Sequence, residues 1–212
     1  GNGDPVLPTS EPEFKGPVTD VPAMEPLSQF ADTYILAQGG ESLFVVDQHA
    51  LHERIRYERL RHDMTSWEAQ SLIDPIIIEL TVRQTEIIDS NREKLGELGF
   101  SFGEDVIGEI HSVPRLLLGD DRLIGFIRDL LSDLSEGDGV ILDSVDSLQD
   151  EIAFMKSCRG AVKANQRLEL AEMRRLLADM STIENPWACV HGRPTVLKLE
   201  MSQLDDHFGR LG

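Results

Sequence analysis

The apolar positions of this chain change period several times, and each change marks an element. Thr33-Tyr34-Ile35-Leu36-Ala37-Gln38 and Ser42-Leu43-Phe44-Val45-Val46 are β-rich runs on either side of Gly39-Gly40, a hairpin signal. From Gln48 to His62 Leu51 and Ile55 stand four apart among charges, which predicts a helix. Ile76 to Leu80 is a short apolar strand. Thr81-Val82-Arg83-Gln84 has the capping-box form that opens a helix, and Gly99 follows its end. Phe100 to Phe102 and Val106 to Val113 read as strands around a Gly103-Glu104-Asp105 turn. Asp121 to Leu134 is an amphipathic helix, stopped by Glu136-Gly137-Asp138-Gly139. The block from Ile76 to Leu142 thus has a βαββα order. A second helical region covers Asp150 to Met180, with Leu170, Met173, Leu177 and Met180 on one stripe and Asn165 as a candidate break. Ala188 to His191 and Thr195 to Leu199 are strand-like around Gly192-Arg193-Pro194. Gly1 to Pro26 is rich in Pro, Glu, Thr and Ser and lacks periodicity, so it reads as a linker, with order beginning near Gln29. A linker at the start implies a preceding part, and the chain is expected to be a fragment of a longer protein.

Composition narrows the class. The 212 residues suit one large domain or two small lobes, and 41% hydrophobic content allows a real core. No run of 18 apolar residues and no secretory leader is present. Two cysteines, Cys158 and Cys189, are too few for a disulfide framework, so a reducing cytoplasm is expected. The net charge of −18 argues against strong autonomous binding to nucleic acid, because phosphates must be neutralised by Lys and Arg. The acid is unevenly placed. Lys156 to Arg175 carries six basic and two acidic residues, Asp47 to Asp63 four of each, and the rest of the chain stands at −22.

The neutral and basic stretches also hold the candidate chemistry. Asp47-Gln48-His49-Ala50-Leu51-His52-Glu53 follows an apolar strand and starts a helix. His49 and Glu53 leave the same helical face one turn apart, a normal way to present two metal ligands. Asp47 at the junction can cap the helix or turn toward a metal; an N-capping Asp before a solvated His/Glu face is the equally good structural reading. In Cys189-Val190-His191 an extended backbone would point thiol and imidazole to one side. The competing reading is a buried Cys beside a surface His. Cys158 lies among Lys156, Arg159 and Lys163, surroundings that favour the thiolate, although a core cysteine is the commoner fate.

These stretches together resemble the MutL family of DNA mismatch repair proteins. Asp47-Gln48-His49-Ala50 with Glu53 and Glu58 is similar to its D-Q-H-A-x2-E-x4-E endonuclease motif. The segment from Ser157-Cys158-Arg159 to Asn165 resembles its A-C-R/K…K-A motif, Cys189-Val190-His191-Gly192-Arg193-Pro194 its C-P-H-G-R-P motif, and Phe208-Gly209-Arg210 its F-x-R end. Val190 stands where the family usually has Pro, and Ser157 where Ala is common. Gln70-Ser71-Leu72-Ile73-Asp74-Pro75 resembles the family's sliding-clamp peptide, otherwise an ordinary loop; Gln70, Leu72, Ile73 and Pro75 would make its contacts.

The resemblance implies an α+β fold. A mixed-sheet dimerisation lobe would be formed by residues 26–69 and 145–212, and a smaller βαββα outer regulatory lobe inserted at 70–144, after a linker at 1–25. It implies that Asp47, His49 and Glu53 hold the catalytic metal. Cys158, Cys189 and His191 would hold a second ion or share the first, with manganese, zinc or both as the one or two divalent ions. Arg54, Arg56, Lys163 and Arg193 are candidate DNA contacts. The implied activity is nicking of duplex DNA by a homodimer in the cytoplasm, with a sliding clamp and a MutS-type mismatch-recognition protein as partners and no membrane. ATP would act only through an N-terminal domain outside this chain. The alternative from another class is a non-catalytic homodimerisation module with a structural zinc site.

Overall fold

A computed structural model describes residues 21–119, 122–136, 143–162 and 165–210. Most of the expected linker, Lys163 and the Gly137-Asp138-Gly139 helix stop lie outside the described residues. Among the described residues the fold is α+β, with seven strands in two sheets and seven α-helices.

The first sheet has the order β1 (Glu25–Phe30), β2 (Tyr34–Gly39), β3 (Ser42–Asp47), β7 (Val196–Glu200). The hairpin at Gly39-Gly40 is present: Gly39 pairs with Ser42, and Gly40 supplies the left-handed conformation, φ 58°, that a tight hairpin needs. Chain order begins earlier than Gln29, because β1 already pairs with β2 from Glu25. As an edge strand it tolerates Pro26, which has no N–H to give. A mixed sheet was expected; all three pairings here are antiparallel, because β7 returns against β3 in the opposite direction.

Alternation along β2 and β3 buries Ile35, Ala37, Phe44 and Val46 on one face. Helices α1 (Gln48–His62) and α6 (Leu170–Asp179) pack there through Leu51 and Ile55, and through Met173, Leu176 and Leu177.

The second sheet has the order β4 (Ala69–Ile77), β6 (Glu109–Pro114), β5 (Ser101–Phe102). The helix expected from Thr81 has its capping box, but it is broken at Asn91 into α2 (Val82–Ser90) and α3 (Arg92–Glu97). Gly99 follows with φ 90°. The chain order β4-α2-α3-β5-β6-α4 is otherwise the expected βαββα, where α4 is Leu123–Glu136. The strand read at Ile76 to Leu80 lies earlier, at Ala69–Ile77, so Gln70 to Pro75 belongs to the strand itself.

A second apolar cluster joins this sheet to α4 (Phe126, Ile127, Leu130, Leu131, Leu134) and to α5 (Val145–Gly160; Leu148, Ile152, Ala153, Met155). Helix α1 connects the two clusters. Its Leu51 and Ile55 lie in the first, and its Tyr57 and Leu60 pack against the second. Tyr57 donates to Asp150 of α5 at 3.2 Å, and Arg61 pairs with the same carboxylate at 2.5 Å. The chain ends in α7 (Met201–His207) and Phe208-Gly209-Arg210. No helix of the described residues is long and apolar enough to cross a membrane.

Candidate functional site

The head of α1 is built by its own side chains. Asp47 is the N-cap, and its Oδ1 accepts from the amides of His49 and Ala50, both at 3.0 Å. The cap uses one carboxylate oxygen, so capping leaves the other for a second role. Gln48 is fully buried. Its Nε2 donates to the carbonyls of Asp32 and Gln166, each at 2.8 Å, and its Oε1 accepts from Gln29 at 2.6 Å. That amide ties the β1–β2 turn, the start of α1 and the segment after α5 into one junction. Sequence reasoning missed it; the signal was an amide placed next to the cap on the side of the sheet.

His49 and Glu53 meet as their spacing requires, with Nε2 to Oε1 at 3.3 Å. His49 Nδ1 is bonded to the carbonyl of Val162 at 2.7 Å. A ring nitrogen tied to a backbone carbonyl while the other faces a carboxylate is the usual outer support of a ligating histidine. Glu53 is 6% exposed and also accepts a hydrogen bond from the Cys158 thiol. The structure therefore brings His49, Glu53 and Cys158 together where α1 packs on α5. The thiol is not activated as its basic neighbours had led us to expect. Burial first, then the bond to Glu53 and that carboxylate's charge, push it up to about 11. Burial is the larger cause, and the charged group bonded to the thiol is an anion.

His52, which the sequence reading left aside, is the other half of this contact. Its Nδ1 accepts the Val162 N–H at 2.7 Å. Burial, then the Arg56 guanidinium, hold it below the usual imidazole range. Glu58, the last acid of the motif, is buried and faces away from this cluster. It accepts from Arg54 at 2.7 Å and from the amides of Glu184 and Asn185 at 2.5 and 3.1 Å, which anchors the approach to Cys189.

Cys189 and His191 do not lie on a strand. Ala188 makes an isolated bridge to Pro194, and the amide of Gly192 (φ 80°) bonds to the Cys189 carbonyl at 2.9 Å, so 189–192 is a turn. The same-side argument for an extended C-x-H therefore fails. Cys189 Sγ instead turns inward, 5% exposed, and accepts from the Arg193 amide at 3.3 Å. His191 is exposed and sets its ring edge-on to Phe154 at 5.2 Å, one turn before Cys158 on α5. Among the described residues no three His, Cys, Asp or Glu side chains gather closely enough about one point to hold a metal ion. Asp47, His49, Glu53, Cys158, Cys189 and His191 thus fall into two separate contacts on Glu53, from His49 and from Cys158, with a cap at the helix head and a turn nearby.

Of the candidate DNA contacts, Arg54 is engaged by Glu58 and lies over the Tyr57 ring at 5.6 Å. Arg56 is half-buried against Gly160, Arg193 is exposed, and Lys163 is outside the described residues. In β4 the ladder to β6 breaks between Ser71 and Ile76. Gln70, Ile73 and Pro75 are exposed, Ile73 completely, while Leu72 is half-buried against the second cluster.

Comparison with known proteins gives a consistent picture. The family model for the MutL C terminal dimerisation domain matches residues 27–168. A DNA mismatch repair protein MutL from Xanthomonas axonopodis pv. citri is 38% identical over 188 residues, covering 87% of this chain and 30% of that protein. MutL from Shouchella clausii is 33% identical over 215 residues, covering 98% of this chain and 32% of its own length. MutL from Xylella fastidiosa is 37% identical over 196 residues, with 90% and 31% covered. The chain spans about a third of the length of these relatives. It belongs to the MutL family of DNA mismatch repair proteins, as the C-terminal dimerisation domain.

Proposed function

We propose that this chain is both the dimerisation domain and a metal-dependent endonuclease domain of a mismatch repair protein, nicking duplex DNA in the cytoplasm. The observation that carries the reading is the meeting of His49 and Cys158 on the buried Glu53 carboxylate, with Asp47 at the head of the same helix. The donor types suit divalent ions: thiol and imidazole suit zinc, carboxylates suit manganese. Asp47, His49 and Glu53 would hold the catalytic ion, and Cys158, Cys189 and His191 a second ion or a share of the first. Such an ion supplies Lewis acidity toward a phosphodiester and acidifies water. The chain's own part is to hold these donors. Val162 fixes the His49 ring, the α1 amides fix Asp47, and burial keeps bulk water from Glu53.

Self-association has its own observation. On the outer face of the first sheet, Phe30 pairs with Tyr34, and Leu36 with Val45 and then Leu197. Phe30, Tyr34 and Leu197 are exposed at 61%, 39% and 56%, an apolar row suited to a two-fold copy of itself. The outward Gln70, Ile73 and Pro75 suit a sliding-clamp contact. ATP hydrolysis and a MutS-type partner would involve the rest of the full-length protein. The division into a dimerisation lobe (26–69 with 145–212) and an outer lobe (70–144) belongs to the same reading.

The test is Asp47→Asn. Asparagine caps a helix as well as aspartate does, so fold and dimer persist while a ligating charge is lost. Manganese-supported nicking of supercoiled plasmid should fall at least a hundredfold. A folded Asp47→Asn protein that nicks like the parent would leave the rival reading, a dimerisation module with a structural zinc site, which the net charge of −18 favours.

A further inference from the structure

We propose that the small cavity where Arg56 of α1 meets the end of α5 binds one phosphate of the DNA backbone, a neighbour of the phosphate that is cut. This rests on the endonuclease reading above and adds a substrate contact to it. The cavity, about 110 Å³, is lined by Arg56, Arg122, Lys156, Arg159 and Gly160. Four of these five residues carry cationic side chains, the fifth is glycine and none is an acid, in a chain of net charge −18. The volume suits a single oxyanion rather than a base or sugar.

Three details argue for a built site. Arg56 Nε is buried and has no hydrogen-bond acceptor. A buried donor on a charged group without a partner is costly, and an anion in the cavity would relieve it. Gly160 makes the arrangement possible: a Cβ there would stand 2.0 Å from Arg56 Nη2. Arg159 is held in place, stacked on Phe126 at 4.9 Å and paired with Asp129 of α4. Cations near a helix C-terminus also answer the helix dipole. That role requires neither a shared cavity nor an orphaned Nε.

The position agrees with the substrate. Arg56 lies three residues beyond Glu53 on α1, and Lys156 and Arg159 flank Cys158 on α5. The cavity is therefore about one helical turn, roughly 5 Å, from the metal donors. One nucleotide of a duplex strand rises about 3.4 Å along the axis, so one or two steps of the strand cover the distance.

The experiment measures duplex binding by fluorescence anisotropy against salt concentration, in EDTA so that no metal contributes. It compares the parent dimer, an Arg56→Gln/Lys156→Gln double variant and Gly160→Ala, each checked by thermal melting. Losing one phosphate contact should make the slope of log K against log salt shallower by about 1. Gly160→Ala, which removes no charge, should do the same, because its Cβ displaces the guanidinium. A parental slope in Gly160→Ala overturns the cavity, even if the double variant weakens binding through general loss of charge. Inorganic phosphate is the second probe. Stabilisation of the parent alone by phosphate, with unchanged DNA slopes, would make this a free-phosphate site and overturn the DNA assignment. A failure of the endonuclease reading would appear separately, as undiminished nicking by Asp47→Asn.

Discussion

Gln48 illustrates how much a motif residue without chemistry can matter. Its carboxamide is fully buried, with donors on two backbone carbonyls and its oxygen on Gln29. Gln48→Ala should destabilise the domain by about 1–3 kcal/mol, the cost of leaving buried groups unsatisfied. Gln48→Glu should cost more, because an acceptor-only carboxylate would face two carbonyl oxygens. Urea unfolding of the three proteins checks this; equal midpoints would show that the junction is not coupled to folding. At this scale the sequence was legible where spacing decides contact, as for His49 and Glu53, and where local chemistry decides, as for the Asp47 cap. It was illegible where a partner arrives from far along the chain. Around Cys158 the sequence shows Lys156 and Arg159, but packing buries the thiol and sets Glu53 beside it, and both push it up.

Among elements, β4 departs most from expectation. Its pairing with β6 moves from Ser71–Ser112 to Ile76–Ile110, so Leu72 to Pro75 have no ladder partners. The result is an extended segment, displayed rather than paired. Changing Gln70, Ile73 and Pro75 to Ala together should leave stability within about 0.5 kcal/mol, as for most exposed positions. It should also leave basal nicking intact while abolishing stimulation by a clamp loaded on DNA. Undiminished stimulation would show that the clamp, if it acts, binds elsewhere. The hairpin and α4 were legible because alternation and 3.6-residue periodicity are strong there. Strand β1 was not, since an edge strand with Leu27 and Phe30 outward has the pattern of a linker. Nor was the turn at 189–192, because the run Ala188 to His191 reads as strand until Gly192 and Pro194 fold it back.

For the whole molecule, the outer face of the first sheet and the net charge act together. In the proposed interface an apolar row at Phe30, Tyr34 and Leu197 must overcome repulsion between two chains of −18 each. Tyr34→Glu/Leu197→Glu should therefore shift the dimer to monomer in analytical ultracentrifugation, with the monomer's melting temperature little changed because both positions are already exposed. Raising salt should strengthen the parent dimer by screening that repulsion. A double variant that sediments with the parent would move the interface to another face. The apolar blocks that feed the two clusters were legible along the chain. The way α1 serves both clusters was not, since it depends on helix packing over nearly a hundred residues, from Tyr57 to Asp150.

One residue, Val162, bonds to two imidazoles at once: its carbonyl to His49 Nδ1 and its N–H to His52 Nδ1. A carbonyl cannot donate and an amide N–H cannot accept. The proton of neutral His49 must therefore sit on Nδ1, and that of neutral His52 on Nε2. Two histidines three residues apart are held as opposite tautomers by a single peptide segment. Neutral His49 keeps a bare Nε2 lone pair beside Glu53, while neutral His52 carries its proton on Nε2. Any displacement of Val162 would release both rings together, so the proton inventory of the site is a property of the backbone at residue 162 as much as of either histidine.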